Sequence, residues 1–178
     1  MVLKWIFVHE IEGCEPRLVE LEHPMKILGL SIETNTKTVF RDVAQLGKQF
    51  EKIKKQIPNR QHPWIFTAVS KGFDKETKTF WYMMGDVVTH VETIPKGLET
   101  FEIPPGTYAV FSVRPKNKLG WGFAIGDAKH YAYEEWLPQS GYEPTGTIDD
   151  FEYHDVRSER AKNPEIDLYV AVKPKQET

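Results

Sequence analysis

The chain of 178 residues has a single cysteine, Cys14. One thiol closes no intrachain disulfide, and without a C-x-x-C pair nothing points to redox work. Histidines stand at positions 9, 23, 62, 90, 130 and 154, never in H-E-x-x-H or another close ligand spacing. No metal and no cofactor is expected on that pattern. Long apolar runs are missing too: none approaches the ~18 residues of a membrane span. The opening MVLKWIFVHEIEG lacks the apolar core and small-residue cleavage site of a signal peptide. Positive charge is not in excess, since the formal net charge is −3. That balance gives no electrostatic ground for binding nucleic acid. The expectation is a cytoplasmic protein with no direct nucleic acid or membrane partner. Neither G-x-S-x-G nor G-K-[ST] occurs, and GWGF at 120–123 lacks the third glycine of a dinucleotide fingerprint.

What is present is a core. Forty per cent of the residues are hydrophobic and 12% aromatic, enough for one domain of this length. Residues 2–11 read as a short strand, and 17–33 as a bent strand interrupted at Pro24. Val43, Leu46, Phe50, Ile53 and Ile57 recur at spacings of three and four, which predicts a helix over 42–56. Strands at 64–70 and 79–89 flank the polar turn KGFDKETK, as a hairpin does. The order then repeats. Pro105 to Ser112 matches Pro24 to Ser31 at a constant offset; a helix over 123–137 and strands at 150–157 and 166–173 follow. The reading is an α+β fold of two duplicated βαββ halves, about 17–95 and 96–175, related by a pseudo-two-fold. Antiparallel sheets carry helices on one side, and the seam makes a central ligand cleft.

Two features suggest chemistry. The first is the supply of aromatics: Trp64, Trp81 and Tyr108 on strands, Trp121 and Phe123 near glycines, Trp136 late in the second helix. Each suits a core as well as a pocket. Trp121 is the exception, because the polar loop KNKLGWG has no evident need of an indole and suits a flap over an apolar pocket. The second feature is DDFEYHDVR at 149–157. In an extended run Glu152 and His154 share one face and Phe151 and Tyr153 the other. Asp149, Asp150 and Asp155 suit solvated turns, whereas Glu152 stands mid-strand. It either faces water, or sits among aromatics as a counter-charge for a lipophilic cation or as a catalytic acid or base.

GDVVTHVETIPKGLETFEIPPGTYAVF, EEWLPQSGYEPTG, DDFEYHDVR and EIDLYVAVKP, in that order, resemble the GyrI-like small-molecule-binding family, the effector-binding domain of some AraC-type and MerR-type transcription regulators. The resemblance implies an N-terminal extension, 1–16, and one effector-binding domain, 17–178. It implies that Glu152 is the buried acid meeting cationic ligands, that Trp64 is an aromatic wall, and that Trp121 or Phe123 is the aromatic after the fourth strand. It makes a small apolar or cationic compound the expected ligand, bound for sensing or sequestration, with a separate regulator protein as a candidate partner. Sixteen leading residues are too few for a helix-turn-helix. Two alternatives stay open: a hydrolase of cyclopropane-type electrophiles using Glu152, and a gyrase-inhibitor-like interaction module. The chain departs from the family at RPKNKLGWGFA, longer than the loop usual there.

Overall fold

Leu28, Leu30 and Ile32 alternate with Ile27, Gly29 and Ser31, so the segment MKILGLSIETN has two faces of different composition. In the computed structural model, which describes residues 15–61 and 66–176, this segment is strand β2 of one antiparallel sheet. The elements in chain order are β1 (Arg17–Leu21), β2 (Met25–Asn35), α1 (Val39–Ile53), β3 (Phe66–Lys71), β4 (Thr79–Val87), β5 (Glu99–Ile103), β6 (Gly106–Val113), α2 (Trp121–His130), β7 (Tyr142–Pro144), β8 (Asp150–His154) and β9 (Ile166–Pro174). Helix α2 continues through a π-helical stretch, Tyr131–Trp136, to a last turn at Leu137–Gln139. No helix among the described residues is long and apolar enough to cross a membrane.

The strand order is β1-β6-β9-β8-β3-β4-β2-β5, with β7 beside β9. A pseudo-two-fold between β8 and β3 exchanges the halves: β2, α1, β3 and β4 become β6, α2, β8 and β9. The duplication read from the sequence is therefore the plan of the fold, built into one sheet. Residues 17–33 are not one bent strand, however. β1 pairs with β6 and β2 with β4 and β5, six places apart in the sheet. β5 is the two-fold mate of β1, and each lies against the main strand of the other half. The helices keep close to their predicted spans, α1 starting three residues early and α2 two. YEP within PQSGYEPTG pairs with β9 rather than turning, and the strand expected over 150–157 stops at His154. The strand read at 2–11 lies outside the described residues.

The topology forces the sheet to curl. β5 and β6 are joined only by Pro104 and Pro105, a link of roughly 10 Å, yet six strand spacings of ~4.8 Å separate them in the sheet. Curling brings Ile27, Ile103, Tyr108 and Val110 from the ends together with Val69, Met83 and Phe151 from the middle in one core. The helices cover the other face. Phe50 and Leu46 of α1 pack with Leu28, Ala68 and Tyr82. Ala124, Ala128 and Ala132 of α2 pack against Phe111, Leu168 and Val170. These small residues let the helix approach the sheet closely, and each buried Leu or Phe contributes roughly 1.5–3 kcal/mol.

Candidate functional site

Register fixes where the acids of β8 point. Across the helix-covered face one row of neighbours runs Leu30, Met84, Ala68, Glu152, Leu168, Phe111. Glu152 is the one charged side chain in that row, and it is 5% exposed. Water is not its environment. Period-two alternation puts Asp150 and His154 on the same face, and they too are buried. The expectation that Asp150 sits in a solvated turn is thus overturned, because β8 begins with it and pairs it with Ser70 and Val170.

A buried carboxylate is costly unless it is paired, and α2 supplies the pair. Lys129 and Tyr133, four residues apart, share one flank of the helix. The Lys129 ammonium lies 2.9 Å from Asp150 Oδ1 and 3.3 Å from Glu152 Oε1, and donates to Ser70 Oγ at 3.2 Å. Tyr133 donates its hydroxyl to Asp150 Oδ2 at 3.1 Å. His154 Nε2 lies 3.3 Å from Glu152 Oε2, and its ring stacks on Phe66 with centroids 4.1 Å apart. Trp121 stands 6.0 Å from the same imidazole. Burial pushes the Glu152 carboxyl up, but Lys129 and then His154 more than offset it and hold it below its ordinary value. Burial first, then the charges of Glu152 and Asp150, push the Tyr82 phenol well up. Among the described residues no three His, Cys, Asp or Glu side chains are placed to hold a metal ion.

The N-termini of the two helices lie close together. Phe40 on α1 and Phe123 on α2 stand with rings 5.9 Å apart, both more than half exposed. Gly122 permits the approach, since a β-carbon there would stand 2.7 Å from the Phe40 ring. Trp121 is not a flap: it is the first residue of α2, after a turn in which the Asn117 side chain accepts from the Leu119 amide at 3.0 Å.

The structure brings Glu152 and Trp121 together around His154, while Phe123 packs on Phe40 of α1. It does not bring the other described candidates there. Trp81 points to the opposite face, as the neighbour of Tyr82 on an alternating strand must; it packs on Phe101 at 5.3 Å, with Lys71 Nζ 4.5 Å from its ring. Tyr108 lies in the core of that face, its hydroxyl donating to the Pro104 carbonyl at 2.7 Å. Trp136 packs on Phe111 at 5.5 Å. It helps line a groove of about 580 Å³ on the outer flank, with Tyr131, Tyr142 and Glu135. Trp64 lies outside the described residues. Lys129, Asp150, His154, Tyr82 and Tyr133 were not among the site candidates. Alternation along DFEYH and WY would have found three of them; Lys129 and Tyr133 needed the register of helix on sheet.

The family described as Cass2, integron-associated effector binding protein, matches residues 17–172. Over 132 residues the chain is 26% identical to the transcriptional regulator BrlR of Pseudomonas aeruginosa, a match over 73% of this chain and 46% of that regulator. The chain thus spans about half the length of that curated relative. Among solved structures it is similar to SAV2435 bound to tetraphenylphosphonium, with TM-score 0.68, 13% identity and coverage of 90% of this chain and 94% of that one. It is also similar to an integron cassette protein from the mobile metagenome of Vibrio cholerae, with TM-score 0.59, 14% identity and coverage of 89% and 96%. EcmrR in a DNA complex gives TM-score 0.59 at 12% identity, over 90% of this chain and 58% of that one. At such identities the likeness is one of fold. With the match running from β1 into β9, the chain belongs to the family of integron-associated effector binding proteins and has the GyrI-like effector-binding fold.

Proposed function

We propose that this domain binds a lipophilic organic cation at the Glu152 and Asp150 carboxylates, for sensing or sequestration. The observation that carries the reading is a charge imbalance: two buried carboxylates face one ammonium, with the buried apolar side chains of Ala68 and Leu168 on either side of Glu152. One ammonium does not balance both acids, so negative charge is left in a poorly solvated place, where a cation with little hydration to lose gains most. Phe66 and Trp121 provide ring faces beside it, and Phe40 and Phe123 mark the way in. The binding of tetraphenylphosphonium by a protein of the same fold makes that ion the natural probe. Glu152 is held ionised by Lys129, away from the neutral range where a general acid or base works best, which favours binding over hydrolysis. In regulators such a domain is joined to a DNA-binding partner, so a separate regulator fits the sensing role.

Isothermal titration tests the reading, with tetraphenylphosphonium and with neutral triphenylphosphine oxide. Glu152→Gln keeps the shape and removes the charge. Affinity for the cation should fall about ten- to hundredfold, while the neutral compound is unaffected. Equal losses for both compounds, or none for either, would remove the carboxylate from the site.

A further inference from the structure

We infer that Lys129 is a tethered competitor for the ligand's positive charge: a cation reaches Glu152 only as the Lys129 ammonium leaves the carboxylates. The inference rests on the cation-binding reading and adds to it a residue that decides which cations succeed. Its ground is the arrangement of three ions with unequal freedom. Asp150 and Glu152 ride on β8, hydrogen-bonded on one side to β3 and on the other to β9. Their side chains are 3% and 7% exposed. That of Lys129 is 24% exposed and swings on a four-carbon stem from the last turn of α2. The ion able to move is therefore the lysine, and it has a route to water.

Two details place its ammonium where a ligand's charge belongs. It bridges both carboxylates at 2.9 and 3.3 Å, and among the described residues no second lysine or arginine pairs with either acid. Asp150 Oδ1 is buried and accepts no hydrogen bond, unlike Oδ2, which takes the Tyr133 hydroxyl. That oxygen has the approaching ammonium in place of a fixed donor. A side chain tethered so close competes as if present at millimolar concentration or above. Small hydrated amines offer the carboxylates nothing the lysine lacks and lose to it. A bulky aromatic cation brings ring surface for Phe66 and Trp121 and displaces it. The chemical class selected is a weakly hydrated cation with apolar bulk, rather than alkylammonium compounds in general.

Lys129→Met alone leaves two buried acids without a counter-ion, so the decisive variant is Lys129→Met with Asp150→Asn, checked for native fold by circular dichroism. It removes one positive and one negative charge, so the net charge of the cluster is that of the parent chain, while Glu152 is freed. Titrated with tetraphenylphosphonium, it should bind at least about tenfold tighter than the parent. Methylammonium at millimolar concentration should compete in the variant and not in the parent. Binding by the variant where the parent shows none supports the inference equally. If the parent binds, depends on Glu152, and the variant binds no tighter, the inference falls and the cation site stands. If neither protein binds the cation, both readings fall.

Discussion

The two halves share a plan and differ in where they bury acid. In the second half, Asp150 and Glu152 stand on the central strand and meet Lys129 at 2.9 and 3.3 Å. In the first half, the equivalent central strand presents Phe66, Ala68 and Ser70 to the helices. The buried acid is Asp86, one strand further out on β4. It is wholly buried, its ion pairs to Lys54 and Arg60 are long, at 3.5 and 3.6 Å, and neither carboxylate oxygen accepts a hydrogen bond. Lys129 and then His154, which lies within hydrogen-bonding reach, hold Glu152 down despite burial, whereas burial pushes Asp86 up to about 6 against the weaker pull of Lys54 and Arg60. Duplication copied the backbone frame; the charge chemistry was laid on it once at the seam and once at the periphery.

The comparison breaks most severely through the strand frame itself. Gly29 on β2 faces Gly85 on β4, and a β-carbon on Gly29 would overlap the Met84 carbonyl oxygen. Gly29→Ala should cost more than about 3 kcal/mol, read by urea unfolding, because rigid backbone has to shift. A loss under 1 kcal/mol would mean that the first half is looser than the pairing implies.

Asp86 gives the next effect. Its folded value, about 6, lies above its unfolded one, so below pH 4 both states are protonated and its contribution is most favourable. As pH rises from 4 to 6 the unfolded state loses its proton first, and stability falls by on the order of 3 kcal/mol before levelling off. Glu152 has the opposite sign: its contribution is present at neutral pH and lost on acidification. Asp86→Asn should abolish the fall between pH 4 and 6 and make the protein more stable at pH 8. Thermal melts across that range check it; an unchanged slope would dissociate Asp86 from the effect. The smallest effect belongs to α2. Gly126 has open space where a β-carbon would go, so Gly126→Ala should stabilise by about 1 kcal/mol in the same denaturation assay.

Much of this contrast was legible in the residues. Periodicity found both helices and the repeat, and alternation along DFEYH put Glu152 and His154 on one face. The same rule, applied to WY in β4, places Tyr82 rather than Trp81 beside Glu152. What the residues did not carry was the partnering. That Lys129 serves the acids depends on how α2 lies over β8 and β9, a relation between segments with no local signature. A proline-interrupted run reads as one bent strand because nothing near Pro24 says that its two parts end on opposite sides of a curled sheet.

That exchange of β1 and β5 bears on how the molecule comes to exist. Residue Arg17 pairs with Val110, and Met25 with Ile103, so neither half closes its own edge from its own residues. On the ribosome β1 waits for β6 to emerge, and contacts of such long sequence separation slow folding. A chain cut between β4 and β5 would yield two pieces, each lacking the strand that borders its main strand and each carrying the one the other needs. Such pieces would assemble with one another rather than fold apart.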